Sequence, residues 1–146
     1  MHISVVGLSH RTAPVEIRER LSIPEQTMET SLQSLRGNEQ VLEASILSTC
    51  NRLEIYTLVR NPDLGVSAVS DFLSSHSGLE TVELTPHLFS YHHEDAVDHL
   101  MRVAAGLDSL VLGEGQILSQ VKKMMRLGQE HKSLGPILNR LLTQAV

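Results

Sequence analysis

Two apolar stretches on either side of a short polar segment constrain the fold of this chain most strongly. The first is rich in β-forming residues and covers about 40–49, and the second covers about 52–60. The residues between them are small and polar, and they favour a turn. We therefore predict two strands joined by a turn, with Cys50 in the turn and Asn51 and Arg52 beside it.

Cys50 is the only cysteine among the 146 residues. A thiol in a turn can be reached by a substrate, and the neighbouring Arg52 guanidinium favours the thiolate form. Arg52 could also hold a carboxylate through two parallel hydrogen bonds. The alternative is that Cys50 is a small buried hydrophobic residue, as lone cysteines often are. The turn position favours the nucleophile without deciding the question.

The composition is that of an ordinary soluble protein with one core, or two small ones. Hydrophobic residues make up 41% of the chain and charged residues 20%. No apolar run approaches the roughly 20 residues that cross a bilayer, and the amino terminus has no signal-peptide pattern. A single cysteine cannot form an internal disulfide, so we expect a reducing, cytoplasmic compartment.

The net charge of −5 disfavours a dedicated nucleic-acid-binding protein, but the basic residues are unevenly distributed. Between 121 and 140 there are five basic residues and one acidic residue, Glu130. The basic residues are Lys122, Lys123, Arg126, Lys132 and Arg140. This segment either contacts phosphates or forms a solvated helix face.

The order of elements predicts an α+β fold with a ferredoxin-like β-α-β-β-α-β sheet. A first strand at 2–8 precedes helices at 15–21 and after Pro24, and a short fourth strand at 88–91 follows a helix that opens near Pro62. A further helix is predicted at 94–106. We assign 1–110 to the α+β core and 111–146 to a helical extension that includes the start of a linking helix.

The eight histidines do not have the spacing of a metal site. His92 and His93 are adjacent and cannot both point inward from one element, and His99 lies off any helical face shared with His93. With one cysteine and no HExxH motif, we expect no metal. His99 is either a partly buried structural histidine or, together with Cys50, a proton donor or acceptor.

A glycine-rich segment at 106–122 concentrates polar side chains between two helices. It is not a phosphate-binding loop, because neither GxxxxGK[ST] nor GxGxxG is present. The glycines allow a ligand to approach the backbone closely, although a simple helix–helix connection has the same composition. The polar residues are Ser109, Glu114, Gln116 and Gln120.

Three motifs, in order and at matching separations, resemble the glutamyl-tRNA reductase family. The first is 7–14 with Arg18 and Glu19, the second is 48–52 with Glu54 and Tyr56, and the third extends from 106–109 to 121–122. The resemblance covers essentially the whole chain. Gly115 and the segment 23–25 are similar to the cyanobacterial and plant branch, which implies the plastid stroma in place of the cytoplasm for a plant-type organism.

The resemblance implies reduction of the glutamyl group of glutamyl-tRNA to glutamate-1-semialdehyde with NADPH, which begins tetrapyrrole synthesis. Cys50 then corresponds to the nucleophile that forms a thioester, and His99 to a position important for activity. Substrate contacts are implied for Thr49, Asn51 and Arg52, with Arg52 facing the glutamate carboxylate. The opposite wall of the pocket would be formed by Ser109, Glu114, Gly115, Gln116 and Gln120.

The resemblance also implies domains beyond these 146 residues, namely an NADPH-binding domain and a helical dimerisation domain that makes the whole protein a homodimer. We expect the catalytic domain alone, with the thiol but without a hydride source, and no membrane association. The competing interpretation is a docking module for a regulatory protein or a heme-linked regulator. Its docking face would be the acidic helix at 14–21 or the basic segment at 121–140.

Overall fold

The computed structural model describes residues 1–108 and 116–146. The described strands are His2–Ser9 (β1), Val41–Ser48 (β2), Arg52–Val59 (β3) and Phe89–His92 (β4). The described α-helices are Val15–Leu21 (α1), Glu25–Arg36 (α2), Pro62–Ser77 (α3), Thr81–Leu84 (α4), His93–Ala104 (α5), Gln116–Glu130 (α6) and Pro136–Ala145 (α7). A short 3-10 helix at Thr85–His87 leads into β4.

The four strands form one antiparallel sheet in the order β2-β3-β1-β4. Helices α1 and α2 connect β1 to β2, and α3 and α4 connect β3 to β4. Strands β2 and β3 form a hairpin in which Ser48 lies opposite Leu53. This arrangement confirms the predicted α+β class and the ferredoxin-like order, and it places Cys50 in the hairpin turn.

One face of the sheet packs on the helices that lie within the ferredoxin-like unit. Leu53, Ile55 and Val59 alternate along β3 and point to this face, as the two-residue period of a strand requires. Helix α2 contributes Met28 and Leu32, which are four positions apart and share one helical face. This first core therefore forms from the periodic apolar patterns that the sequence shows.

The other face of the sheet is covered as well, by α5, α6 and α7. All eight residues of β3 are buried, although antiparallel sheets commonly leave one face to water. Tyr56 belongs to this second core, together with Leu100 of α5, Val121 of α6 and Leu138 of α7. The predicted division between 110 and 111 falls outside the described residues and stays a prediction.

A buried glutamate on β2 fixes the start of α7. Glu43 is 5% exposed, and its Oε1 accepts hydrogen bonds of 2.8 Å from the backbone N–H groups of Gly135 and Leu138. A carboxylate at a helix amino terminus satisfies N–H groups that have no partner within the helix. A Cβ on Gly135 would lie 2.7 Å from the Glu43 carboxylate, so glycine is needed for this close approach.

Candidate active site

The turn that carries Cys50 is held by side-chain and backbone hydrogen bonds. The N–H of Thr49 donates to the carbonyl of Arg52 at 2.9 Å, and the N–H of Asn51 donates to the Thr49 hydroxyl oxygen at 3.2 Å. The N–H of His10 donates to the carbonyl of Asn51 at 2.8 Å, which joins the turn to the loop after β1. The local sequence therefore presents Cys50 on an ordered turn, where it is exposed.

Cys50 lines a cavity of about 420 Å³ between the hairpin turn, the residues before and at the start of α2, and α6. Thr49, Asn51 and Arg52 contribute to one side of this cavity. Gln116 and Gln120 of α6 contribute to another. Six of the ten residues predicted for the site are thus brought together here. We call this space the Cys50 cavity.

Three of the predicted residues, Ser109, Glu114 and Gly115, lie outside the described residues. Their assignment to the opposite wall of the pocket stays a prediction. The two described members of that predicted wall are Gln116, the first residue of α6, and Gln120, four residues further along the helix.

Arg52 is buried and already paired with carboxylates. Its side chain is 2% exposed, and Nη1 lies 2.8 Å from Glu54 Oε2 and 2.9 Å from Asp108 Oδ2. Its Nη2 donates to the backbone carbonyl of Asp108 at 2.6 Å. Burial opposes the charged guanidinium, but Glu54 and Asp108 outweigh it and raise the pKa of Arg52. The positive charge next to Cys50 is therefore balanced within the protein.

Glu54 is fully buried and connects three side chains. Its Oε2 contacts both Arg52 and the Nε2 of His99, the latter at 2.8 Å, and its Oε1 accepts from the Tyr56 hydroxyl at 2.6 Å. Burial, and then the negative charge of Glu54, raise the pKa of Tyr56 well above 10.0. We call Arg52, Glu54, Tyr56, His99 and Asp108 the Glu54 network.

Gly7 makes room for this network. It lies opposite Glu54 in the sheet, and a Cβ at this position would be 2.9 Å from Glu54 Cα and 3.1 Å from Glu54 Cγ. The same Cβ would collide with the backbone carbonyl oxygen of Leu53, so a larger residue would separate β1 from β3 and displace Glu54 with the strand.

His99 faces a second cavity, of about 480 Å³, whose lining includes Arg11 and Asp108 but not Cys50. The His99 ring packs against Phe89 and Tyr91, with centroid distances of 5.0 and 5.1 Å. An ionised carboxylate only accepts hydrogen bonds, so the Nε2 of His99 carries the hydrogen in its contact with Glu54. Within the described residues, His99 and Cys50 line different cavities that the Glu54 network separates.

The chain matches the protein family described as "Glutamyl-tRNAGlu reductase, N-terminal domain" over residues 6–146. The chain belongs to this glutamyl-tRNA reductase N-terminal domain family. Two similar proteins, both named glutamyl-tRNA reductase, come from Synechococcus sp. (strain CC9605), with 99% identity, and Prochlorococcus marinus (strain MIT 9313), with 84%. Each alignment covers all of this chain and 34% of the relative, so the chain spans about a third of those proteins.

A solved structure shares the fold. The glutamyl-tRNA reductase from Methanopyrus kandleri superimposes with a TM-score of 0.76 at 26% identity. The match covers 98% of this chain and 32% of that chain. The resemblance of the three motifs to this family, and to its cyanobacterial branch, is confirmed.

The sequence alone indicated no site role for Glu54, Tyr56 or Asp108. A signal for two of them was present, because Arg52, Glu54 and Tyr56 are two residues apart on a strand and so point to one face. Asp108 could not be found in this way, since it reaches Arg52 across 56 positions of the chain.

Two charged residues of the Cys50 cavity were also missed as site residues, namely Glu25 and Lys123. They pair with each other at 3.1 Å, and both side chains remain partly exposed. Within residues 1–108 and 116–146, no group of three or more His, Cys, Asp or Glu residues is placed to hold a metal ion. None of the described helices is both long and apolar enough to cross a membrane.

Proposed function

We propose that this domain carries out the acyl-transfer half of glutamyl-tRNA reduction. The Cys50 thiolate attacks the carbonyl carbon of the ester that joins glutamate to the RNA. The bond from that carbon to the ribose oxygen breaks, the ribose oxygen takes up a proton, and the glutamyl group remains on Cys50 as a thioester. Covalent capture divides a difficult reduction into two easier steps, and a thioester is reduced more readily than an ester.

The observation that carries this proposal is the placement of the only cysteine. Its thiol is exposed, it lies on an ordered turn, and it borders a cavity of about 420 Å³ whose lining includes neutral polar side chains as well as the charged pair Glu25 and Lys123. A cavity of this size is within the range that binds small ligands and can enclose a glutamyl group. A cysteine with a merely structural role would be expected inside one of the two cores.

Four neutral side chains of the Cys50 cavity are proposed to orient the glutamyl group. They are Thr49, Asn51, Gln116 and Gln120. For Arg52, contact with the glutamate carboxylate requires that it share or exchange its pairing with Asp108, whose side chain is 25% exposed. The other partner, Glu54, is fully buried and would stay in place. For Ser109, Glu114 and Gly115 the proposed role remains substrate contact.

His99 is proposed to act on the reaction through Glu54. Its Nε2 contacts Glu54 Oε2 at 2.8 Å, the same oxygen that holds Arg52 Nη1. Loss of the His99 ring would therefore change how Glu54 is held and, through it, the position of Arg52.

NADPH, when bound, would supply the hydride that converts the thioester to glutamate-1-semialdehyde for tetrapyrrole synthesis. Residues 1–146 contain no dinucleotide-binding fingerprint, and none of them is assigned to holding NADPH. We further propose a cytoplasmic enzyme with 1–110 as catalytic core and 111–146 as helical extension, acting as a homodimer in its longer form. By themselves, residues 1–146 would form the thioester and lose it to water without making aldehyde.

The test is to incubate the chain with radiolabelled glutamyl-tRNA, quench with acid and measure glutamate bound to the protein. Label on the wild type that hydroxylamine removes, and none on Cys50→Ser, is the expected result. Arg60→Gln, at an exposed position just after the far end of β3 and outside the Cys50 cavity, serves as the control and should keep the label. Free glutamate released equally by wild type and Cys50→Ser, with no label on either, would refute the proposal.

Semialdehyde formed by this chain with NADPH would refute the proposal that residues 1–146 carry out acyl transfer alone. The alternative role, docking of a regulatory protein or a heme-linked regulator, would then be tested by direct binding.

A further inference from the structure

Helix α6 carries basic side chains from the wall of the Cys50 cavity outward along the protein surface. Lys123 lines the cavity, and Arg126 lies three residues further on, on the same side of the helix. Lys122 is exposed next to them. The accessible wall of the cavity therefore continues into a positively charged surface.

Glu25, at the start of α2, pairs with both basic groups. Arg126 also pairs through Nη1 with Glu130 at 3.2 Å, which leaves its Nη2 for the exchange described below. The Oε1 of Glu25 lies 3.1 Å from Lys123 Nζ and 3.5 Å from Arg126 Nη2. The side chains are 48%, 41% and 57% exposed, respectively. Exposed ion pairs of this kind contribute little to stability, so another anion can replace Glu25 at low cost.

The remaining described residues that border the cavity offer no other accessible cation. The guanidinium of Arg52 is buried and paired with Glu54 and Asp108. The hydrogen bond and the charge of Lys123 lower the pKa of Glu25, so its carboxylate is ionised and occupies the site until a stronger anion displaces it.

We propose that Lys123 and Arg126 bind the phosphates at the aminoacylated 3′ end of the substrate RNA by exchanging Glu25 for phosphate. The inference rests on the proposed function for the identity of the RNA. An ester at Cys50 places the last nucleotide at the cavity, and the strand that precedes it must leave along a neighbouring surface. Helix α6 supplies a surface of the required charge, and phosphate contacts favour binding because they release counterions.

The test measures binding of deacylated tRNA by fluorescence anisotropy over a range of KCl concentrations. Lys123→Gln and Arg126→Gln should each weaken binding about two- to fivefold at low salt. Each should also reduce the steepness of log K against log salt by about 0.7 to 1, the value for one phosphate contact. Lys123→Arg should retain binding, and Glu25→Gln should tighten it because the competing carboxylate is gone.

Arg60→Gln is the matched control. Arg60 is exposed and follows the far end of β3, eight positions from Arg52, or about 26 Å along an extended strand. It should leave both affinity and salt dependence unchanged. Circular dichroism of each variant checks that its fold is retained.

Three results would overturn the inference. They are an unchanged salt dependence in Lys123→Gln, equal losses in Lys123→Gln and Arg60→Gln, and a loss that is confined to glutamyl-tRNA while deacylated tRNA binds normally. The last result would assign Lys123 to the glutamyl group instead. Binding of deacylated tRNA requires no thioester, so failure of Cys50 labelling would refute the proposed chemistry, whereas the salt dependence of Lys123→Gln decides separately whether these side chains contact phosphates.

Discussion

Replacing Glu54 with glutamine tests whether the Glu54 network holds the site together. The substitution keeps the shape of the side chain and removes its negative charge. Glu54 is fully buried and contacts Arg52, His99 and Tyr56 at 2.8, 2.8 and 2.6 Å. Glu54→Gln therefore leaves a buried guanidinium with Asp108 as its remaining carboxylate partner in the described structure.

Breaking one side of a buried ion pair typically costs about 3 to 5 kcal/mol, because the remaining charge has lost its compensation. Asp108 stays 2.9 Å from Arg52 and keeps part of that compensation, so we expect the lower end, about 3 kcal/mol. Tyr56→Phe is the matched comparison. It removes one hydrogen bond to the carboxylate, keeps every charge, and should cost about 1.5 to 3 kcal/mol.

Urea unfolding followed by far-ultraviolet circular dichroism provides the measurement, since the chain has no tryptophan. With a urea dependence of about 1 to 3 kcal/mol per molar, a loss of about 3 kcal/mol lowers the midpoint by about 1 to 3 M. A Glu54→Gln midpoint equal to the wild-type midpoint would refute the reasoning. So would a larger effect of Tyr56→Phe, because charge compensation would then not be the main contribution.

Three further predictions concern other parts of the molecule. Glu43→Ala should lower the free energy of unfolding by about 3 kcal/mol, because two short hydrogen bonds to the carboxylate and a longer one from the N–H of Ile137 are lost. Glu43→Gln keeps an acceptor and should cost less, and urea midpoints measure both. Gly135→Ala should be strongly destabilising in the wild type, because the nearest atoms to its Cβ all belong to the Glu43 side chain. It should be nearly neutral in a Glu43→Ala background, and a double variant whose loss of stability equals the sum of the two single losses would contradict this. Burial, and then Arg52, lower the pKa of His10, so the unfolded chain binds more protons than the folded one below its usual value of 6.5. Stability should therefore be lost as the pH falls below 6.5, and His10→Gln should make that loss smaller in urea midpoints measured against pH.

Much of the fold could be predicted because it depends on local patterns. The apolar stretches on either side of Cys50 specified the hairpin. The helix predicted to open near Pro62 begins there, and the Asn61 side chain caps it by accepting from the N–H of Leu64 at 3.1 Å. The order of strands and helices then left few topologies, and the ferredoxin-like one is confirmed. Gln116 and Gln120 were placed near Cys50 through the family resemblance, and the structure brings them to the same cavity.

The pairing of buried charges could not be predicted, because it depends on contacts between distant parts of the chain. Sequence adjacency suggested that Arg52 serves Cys50 and a substrate carboxylate, whereas its guanidinium pairs with Glu54 and Asp108. The sequence likewise predicted a helical extension after residue 110, but not the docking of α6 on the second face of the sheet. The helices that cover this face bury all of β3 and place the Glu54 network in low-dielectric surroundings.

The hydrogen bonds from Gly135 and Leu138 to Glu43 span 92 and 95 positions of the chain, so they close a very long loop. Closing such a loop is entropically costly, and contacts of high sequence separation tend to form late in folding. The first core, by contrast, is built almost entirely from residues that precede β4. Helix α7 can therefore detach as a subglobal opening that exposes the second core while the first stays folded. The Cys50 hairpin belongs to both cores, so in hydrogen exchange its slowest amide hydrogens will report the global stability of the domain. The amide hydrogens of α7 will report only the lower stability of the unit that detaches.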